Sequence, residues 1–177
     1  MIHTARRVCL LLFPLFAVAC AHTPEPAVTD AAPPQNIQEW MDRLTVEHHY
    51  DPETGFIVAD ETVELPPLIA AAPALDDVIR IAGSDRLVIA FATADRCAPC
   101  QQYKRDALNS HDVIMRLSDG SFFPTHVEVD KQPELADAHL GSRAIPMTYA
   151  LRDGEVIGTL RGQRSADELL TWLDELG

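Results

Sequence analysis

Basic residues, aromatic side chains and cysteines are all scarce in this sequence. Its 177 residues include 14 Lys and Arg against 27 Asp and Glu, so the formal net charge is −13, and aromatic residues make up 6%. The sequence has no basic patch and no stripe of alternating basic and aromatic residues, which are the usual footprint of a nucleic-acid-binding protein. We therefore expect no nucleic acid among its partners.

Long apolar runs are also scarce, and the run near the N-terminus is short. Residues 8–18 are apolar and follow two arginines, a pattern typical of a secretory signal and too short for a retained transmembrane helix. The run ends in Ala-Val-Ala-Cys20, which resembles a bacterial lipobox, where cleavage before the cysteine leaves it to be lipidated. Residues 1–19 are therefore predicted to be a lipoprotein signal peptide. Cleavage near Ala21 by ordinary signal peptidase is the alternative.

The residues around this cysteine also predict a location. Alanine stands at position 17, where a lipobox usually has leucine, and Ala21 rather than aspartate follows Cys20. By resemblance to enteric lipoproteins, this implies sorting to the outer membrane. We expect a protein of the bacterial cell envelope that is anchored by lipid on Cys20 and faces the periplasm. Residues 20–35 contain four prolines among small and polar residues, a composition that predicts an extended tether.

The cysteines that remain form a single close pair. Of four cysteines, Cys9 would leave with the signal and Cys20 would carry the lipid, so Cys97 and Cys100 are the remaining thiols. Exported proteins normally use cysteines to join distant segments, but a Cys-x-x-Cys pair closes almost no loop. Reactivity explains the pair better than structural cross-linking does. Half of a zinc site has the same spacing and stays open as an alternative.

The cysteine pair lies between a predicted strand and a predicted helix. Residues 86–91 are apolar and rich in β-branched side chains, which predicts a buried strand, and residues 100–108 carry apolar side chains at helical spacing. Unsatisfied backbone N–H groups and the positive end of the helix dipole favour a thiolate at the helix start. We therefore expect Cys97 to attack a disulfide and Cys100, one turn later, to resolve the mixed disulfide.

Residues 36–73 are predicted to form an N-terminal extension that begins with an amphipathic helix. Residues 56–58 and 63–65 are predicted to pair as a small hairpin. His48 and His49 suggest a metal site, but adjacent histidines point to different sides and no third ligand is near, so we expect no metal there. The apolar stripe of the helix consists of Ile37, Trp40, Met41 and Leu44.

Residues 74–177 are long enough for one compact domain. The pattern predicts the order βαβα followed by ββα, in which Asp153-Gly154 marks a hairpin and Ser165 with Glu168 forms a capping box. This order predicts an α/β domain with a mixed central sheet flanked by helices on both sides.

Several motifs spread along this domain resemble the thioredoxin family. The motifs are Cys97-Ala-Pro-Cys100, Val129-Asp130, residues 140–146, Asp153-Gly154-Glu155 and Gly162. The resemblance covers residues 74–177 and implies a thioredoxin-like fold. It also implies a cis peptide bond between Ile145 and Pro146, opposite the cysteines, where the backbone of Ala144 and Ile145 would bind an extended substrate like an added strand. An ordinary trans proline at a strand start is the alternative.

The sequence departs from the family at positions that matter for proton transfer. Arg96 replaces the tryptophan before the first cysteine, and its guanidinium would help to stabilise the thiolate, whereas Asp95 opposes that effect. The buried acid that helps the family's second cysteine to ionise would fall at Ala90 or Phe91, and neither ionises. His126 stands where the family has a lysine and is a candidate proton relay. The alternative is a histidine that is merely hydrogen-bonded at a strand edge.

The sequence thus predicts a thiol-disulfide oxidoreductase of the cell envelope, with reduction or isomerisation favoured over net oxidation. Its expected partners are exported client proteins with disulfides or thiols and an envelope electron donor or acceptor. No cofactor is expected beyond the Cys97–Cys100 dithiol. Two alternatives remain open at this point: a Cu(I) carrier that uses the same soft thiolates, and a thioredoxin-fold interaction module without catalysis.

Overall fold

The structure of this chain is a computed structural model that describes residues 32–177. The predicted signal peptide 1–19 and the predicted lipidation site Cys20 lie outside the described residues. Within the described range, no helix is long and apolar enough to cross a lipid bilayer. The helices are α1 (Gln35–Met41), α2 (Pro67–Ala70), α3 (Leu75–Ala82), α4 (Ala98–Tyr103), α5 (His111–Leu117), α6 (Pro133–Leu135) and α7 (Ala166–Leu176). The strands are β1 (His48–Asp51), β2 (Phe56–Ala59), β3 (Leu87–Thr93), β4 (Phe122–Glu128), β5 (Met147–Arg152) and β6 (Glu155–Arg161).

Four strands form the central sheet in the order β4-β3-β5-β6. Strand β3 is parallel to β4 and antiparallel to β5, and β5 is antiparallel to β6. All seven residues of β3 are buried, as expected for a strand that is covered on both faces. The predicted mixed sheet and the βαβα-ββα order are confirmed, and the central strand leads directly to the cysteine pair.

Helices cover both faces of the sheet because side chains alternate along β3. Ile89 and Phe91 pack with buried residues of α4, α5 and α7, and Ala90 and Ala92 pack with buried residues of α3. Helices α4 and α6 each continue as one π-helical turn, Lys104–Leu108 and Ala136–Leu140. The extra turn of α4 carries Ala107 and Leu108 into the first core, so the cysteine helix is fixed to the sheet by its C-terminal half.

Two short motifs in the C-terminal half form as predicted. Asp153 and Gly154 have positive φ angles of 53° and 80°, which the tight turn between β5 and β6 requires. The Ser165 hydroxyl accepts a hydrogen bond from the Glu168 N–H, and the Glu168 carboxylate accepts one from the Ser165 N–H. This capping box begins α7.

The hairpin in the N-terminal extension differs from the prediction. Residues 56–58 do not pair with residues 63–65, which form no strand, and β2 instead pairs antiparallel with β1. The reason is the turn between them, in which the Asp51 carboxylate accepts a backbone hydrogen bond at 2.9 Å and Gly55 has a φ of 73°. Such a turn reverses the chain within a few residues, so the segment before it becomes the partner of β2.

The extension contacts the domain through the segment after its helix. Helix α1 forms as predicted, but none of its residues is fully buried. Leu44, the last residue of the predicted apolar stripe, lies beyond the helix end and is buried with Val46 and Ala98. Trp40 stays exposed, so the expected packing of the helix itself against the domain is limited to part of its stripe.

Two consecutive glutamines of α4 bind the backbone of the extension. The buried Gln102 side-chain oxygen accepts hydrogen bonds from the N–H groups of Thr45 at 2.7 Å and Val46 at 3.1 Å. The Gln101 side-chain oxygen accepts one from the Val63 N–H at 2.7 Å. The helix that carries the cysteines is therefore also the attachment point of the extension.

We expect Gln102→Met to lower the free energy of unfolding by about 1–3 kcal/mol, because methionine fits the same space but leaves two backbone N–H groups without their acceptor. Urea unfolding followed by circular dichroism measures the change. Gln38→Met, at an exposed position of α1, is the matched control and should be close to neutral. An equal loss in both variants would show that these hydrogen bonds do not hold the extension.

Candidate active site

Cys97 and Cys100 form a disulfide, with their Cα atoms 5.1 Å apart. Cys97 is the N-cap of α4 and is partly exposed, whereas Cys100 is fully buried in the first turn. The Cys100 N–H donates a hydrogen bond to the Cys97 Sγ at 3.2 Å. A sulfur atom of another molecule can therefore approach Cys97 but not Cys100.

Local sequence explains why the chain turns here from strand to helix. Pro99 lies in the first turn of α4, where the missing N–H of proline costs nothing. The Cys97 carbonyl accepts hydrogen bonds from the N–H groups of Cys100 and Gln101. The side-chain amide of buried Gln101 also donates a hydrogen bond to the Asp95 backbone carbonyl at 2.9 Å. This bond holds the loop between β3 and α4 in place.

The loop before β5 lies beside the exposed sulfur. The peptide bond between Ile145 and Pro146 is cis, as the family resemblance implied. Ala144 and Ile145 line a groove of about 740 Å³ together with Cys97, and Pro146 is buried beneath them. The structure thus brings the predicted substrate-binding loop and the predicted attacking cysteine into one site.

Arg96 lines the same groove and is exposed. Its backbone carbonyl accepts a hydrogen bond from the Ala59 N–H at 2.9 Å. Asp95, by contrast, points to a lysine, because Lys131 lies 2.6 Å from its carboxylate. That hydrogen bond is the main reason why the pKa of Asp95 lies below its usual value.

His126 forms a hydrogen bond between its Nε2 and the Thr93 hydroxyl at 2.7 Å. Burial, followed by the positive charge of Lys104, lowers the pKa of His126 to about 4. The ring is therefore neutral at neutral pH. Ala90 and Phe91, the positions where the family's buried acid would fall, are both fully buried in the sheet.

Two buried charged residues near the cysteine loop escaped the sequence reasoning. Glu128 is only 7% exposed, and its Oε1 accepts a hydrogen bond from the Asp95 N–H at 3.0 Å. Its Oε2 has no hydrogen-bond partner among residues 32–177, and burial is the main cause that raises the pKa of this carboxyl. Lys104 is buried as well, with its Nζ 3.4 Å from the Asp95 carboxylate.

The sequence did contain a signal for one of them. Lys104 follows Cys100 by four residues and therefore lies on the same face of the helix. That face is the apolar stripe that also carries Tyr103, Ala107 and Leu108, all of them buried. A lysine inside an apolar stripe needs a buried or half-buried acidic partner, and Asp95 and Glu128 are the acids that lie nearby.

The two adjacent histidines lie on β1 and make separate contacts. The His48 Nδ1 is 2.6 Å from the Val46 carbonyl, and the His49 Nδ1 is 2.7 Å from the Asp60 carboxylate. Over residues 32–177, the structure contains no cluster of three or more His, Cys, Asp or Glu side chains that could hold a metal ion.

The fold and the site together define a class of protein. A mixed sheet carries, at the end of its central strand, a disulfide-bonded Cys-x-x-Cys pair at a helix start, beside a cis-proline loop. This arrangement supports thiol-disulfide oxidoreductase chemistry. The family model described as a thioredoxin-like domain matches residues 76–177. The chain belongs to the thioredoxin-like family.

A solved thioredoxin structure supports this assignment of the fold. A thioredoxin from Thermus thermophilus is 26% identical, with a TM-score of 0.51, over 59% of this chain and 84% of that protein. The thioredoxin NaTrxh from Nicotiana alata is 17% identical, with a TM-score of 0.49, over 65% of this chain and 96% of that one. A comparison with curated protein sequences found no match.

Proposed function

We propose that this protein is a thiol-disulfide oxidoreductase of the bacterial cell envelope that exchanges disulfides with exported client proteins. The observation that carries the proposal is the unequal exposure of the pair, because partly exposed Cys97 is bonded to fully buried Cys100. A structural cross-link would gain nothing from one accessible sulfur. A two-step exchange needs it.

In the reducing direction, the Cys97 thiolate attacks one sulfur of a client disulfide. The Cys97–client S–S bond forms, the client S–S bond breaks, and the released client thiolate takes up a proton. Cys100 then loses its proton and attacks the Cys97 sulfur, which releases the second client thiol and forms the Cys97–Cys100 disulfide. The client gains two electrons, the protein loses two, and an envelope electron donor must reduce the pair again. We favour this direction, or isomerisation, over net oxidation.

Other residues of the site support these steps. The backbone of Ala144 and Ile145, above buried Pro146, would hold an extended client segment beside Cys97. The Arg96 guanidinium would stabilise the attacking thiolate. His126 remains a candidate acceptor for the Cys100 proton, although a neutral imidazole with a pKa of about 4 is a weak base at neutral pH.

The location rests on the sequence before residue 32. Lipid on Cys20 would anchor the chain at the outer membrane, and residues 20–35 would separate the domain from the lipid surface. Clients would then be proteins of the periplasm or of the membrane surface, in an oxidising compartment where disulfides persist.

Equilibration with reduced and oxidised glutathione is the direct test of redox activity. We expect a reversible transition of the Cys97–Cys100 pair and reduction of insulin disulfides by the reduced protein. Alkylation followed by mass spectrometry measures the first, and insulin turbidity the second. A pair that resists mild oxidants and reductants contradicts the proposal. Stoichiometric copper retained through gel filtration, without insulin reduction, would instead support the Cu(I) carrier.

A further inference from the structure

The β1–β2 hairpin is attached directly to the active-site loop. Val58 and Cys97 form an antiparallel bridge, and the Ala59 N–H donates a hydrogen bond to the Arg96 carbonyl at 2.9 Å. The hairpin lies before residues 76–177, which are the part matched by the thioredoxin-like domain. This chain has therefore added a backbone element beside the reactive sulfur that the matched domain does not contain.

The hairpin forms one side of the groove above Cys97. Residues 54–58 line the groove together with Ala144, Ile145, Cys97 and Pro99, and Val58 lies next to Cys97. Most of these side chains are apolar. The Phe56 side chain is 68% exposed, the most exposed of the large apolar side chains among residues 32–177, and its position on the groove makes it available to a bound molecule.

We propose that the hairpin is a specificity-determining wall of the client site, which selects an extended client segment with apolar residues next to the disulfide being exchanged. The proposal rests on the function proposed above and names its substrate class. The occupant must bring a sulfur atom to Cys97. An extended segment fits, because Ile145 makes no backbone-to-backbone hydrogen bond within residues 32–177 and its backbone can pair with an added strand.

Charge gives the occupant a second property. Arg96 lines the groove, and its guanidinium has no ion pair within the described part of the chain, whereas Arg143, also in the lining, is paired with Asp137. Asp130 also lines the groove, and the Arg96 charge acts on the Asp51 carboxyl only through space, as the last of the causes that lower its pKa. A client carboxylate that contacts Arg96 directly would give it the ion pair that it lacks within residues 32–177. The preferred client segment is therefore apolar and carries an acidic residue. Arg96 would attract that residue locally, although this chain as a whole is strongly acidic.

A transient client fits this groove better than a permanent occupant does. A second copy of the chain, or the residues before position 32, would cover Phe56 but would also block the sulfur of Cys97. Because Cys97 is the accessible sulfur of the pair, a permanent cover would stop the exchange that the site is built for. A client binds while its disulfide is intact and leaves once it has been reduced to a dithiol. It therefore covers the apolar residues of the groove only during the reaction.

Single-turnover reduction of defined peptides tests the proposal in the full chain. The probes are two cystine peptides that differ only in having leucine or serine beside the cysteines, and a small aromatic disulfide. The pre-reduced protein should reduce the leucine peptide about tenfold faster than the serine peptide. Phe56→Ser should bring that ratio close to one, where each peptide rate is first divided by the rate of the same variant with the small disulfide. Ile81→Ser, at another exposed apolar position, 53% exposed on α3, is the control and should keep the ratio.

The outcomes separate this inference from the proposed function. Equal rates for the two peptides, or an unchanged ratio in Phe56→Ser, overturn the role of the hairpin. No reduction of any probe, including the small disulfide, overturns the oxidoreductase itself. A dimer in sedimentation that Phe56→Ser dissociates would identify a second copy as the occupant. Faster reduction of both peptides by a chain that begins at residue 32 would identify the N-terminal segment instead, and either result contradicts a client site.

A second peptide pair tests the charge preference. Glutamate and lysine at one position near the cysteine should give a faster rate for the glutamate peptide, and Arg96→Gln should remove the difference. A lysine peptide that reacts as fast as the glutamate peptide would restrict the selection to apolar contacts. That result would overturn the acidic part of the proposed client segment.

Discussion

Cys97→Ser is expected to reduce disulfide exchange at least about a thousandfold, as loss of a nucleophile typically does. A serine hydroxyl is not ionised at neutral pH and is a poor nucleophile towards sulfur. Cys100 cannot take over the attack, because it is fully buried. The measurement is the single-turnover rate with the small aromatic disulfide, which needs no binding groove and so reports on the sulfur chemistry alone.

The effect of Cys100→Ser is different in kind. Cys97 keeps its exposure and still attacks, but the mixed disulfide has no internal thiol to resolve it. We expect a stable one-to-one adduct through Cys97, seen on non-reducing gels and by mass spectrometry, and released by dithiothreitol. Cys97→Ser is the matched control and should form none. Adducts of equal yield in both variants would contradict the assigned order of the two cysteines.

The double variant Cys97→Ser, Cys100→Ser separates catalysis from binding. If the protein were an interaction module with unused cysteines, the double variant would still bind its client as wild type does. If the protein is an oxidoreductase, the double variant leaves the disulfide of the client oxidised. Comparison of this variant with the Cys100→Ser adduct shows whether contact with the client needs the sulfur bond.

The site was predictable from sequence because its signals are local. A run of β-branched residues gives β3, helical spacing gives α4, and the Cys-x-x-Cys pair lies at their junction. Local signals also gave the β5–β6 turn and the cap of α7. The position of Pro146 opposite the pair needed the family resemblance, because nothing near residue 146 in the sequence points to residue 97.

The parts that sequence reasoning missed depend on contacts between distant residues. The sequence predicts pairing between residues 56–58 and 63–65, whereas the turn at Asp51 pairs β2 with β1. Glu128 and Lys104 are far apart in sequence and meet at Asp95 only when β4, the active-site loop and α4 come together. The attachment of β2 beside Cys97 likewise follows from backbone pairing that carries no sequence motif.

We expect acid to destabilise the folded chain through His126. Burial first, then the charges of Lys104 and Lys131 against that of Asp95, set its pKa at about 4, below its ordinary value of 6.5. Between these pH values the unfolded chain binds a proton that the folded chain does not bind. The free energy of unfolding contributed by this residue is therefore complete above pH 6.5 and lost as the pH falls to about 4, by at most roughly 3 kcal/mol.

His126→Gln isolates this contribution, because other carboxyls titrate in the same range. Glu128 has a raised pKa, so it acts in the opposite direction. The Glu128 carboxyl keeps its proton to a higher pH in the folded chain than in the unfolded chain, so its contribution to stability falls as the pH rises above the ordinary pKa of a glutamate. Urea unfolding of the oxidised protein from pH 4 to 8 gives the free energy of unfolding of wild type and of His126→Gln at each pH. Glu128 contributes to both proteins, so subtracting one free energy from the other removes its contribution.

Wild type should be more stable than His126→Gln by a margin that grows from pH 4 to 6.5 and levels off above it. His111→Gln, at an exposed position of α5, should follow wild type. A difference that stays constant with pH would show that His126 titrates alike in the folded and unfolded chains, and would remove the physical basis for its neutral state beside Thr93.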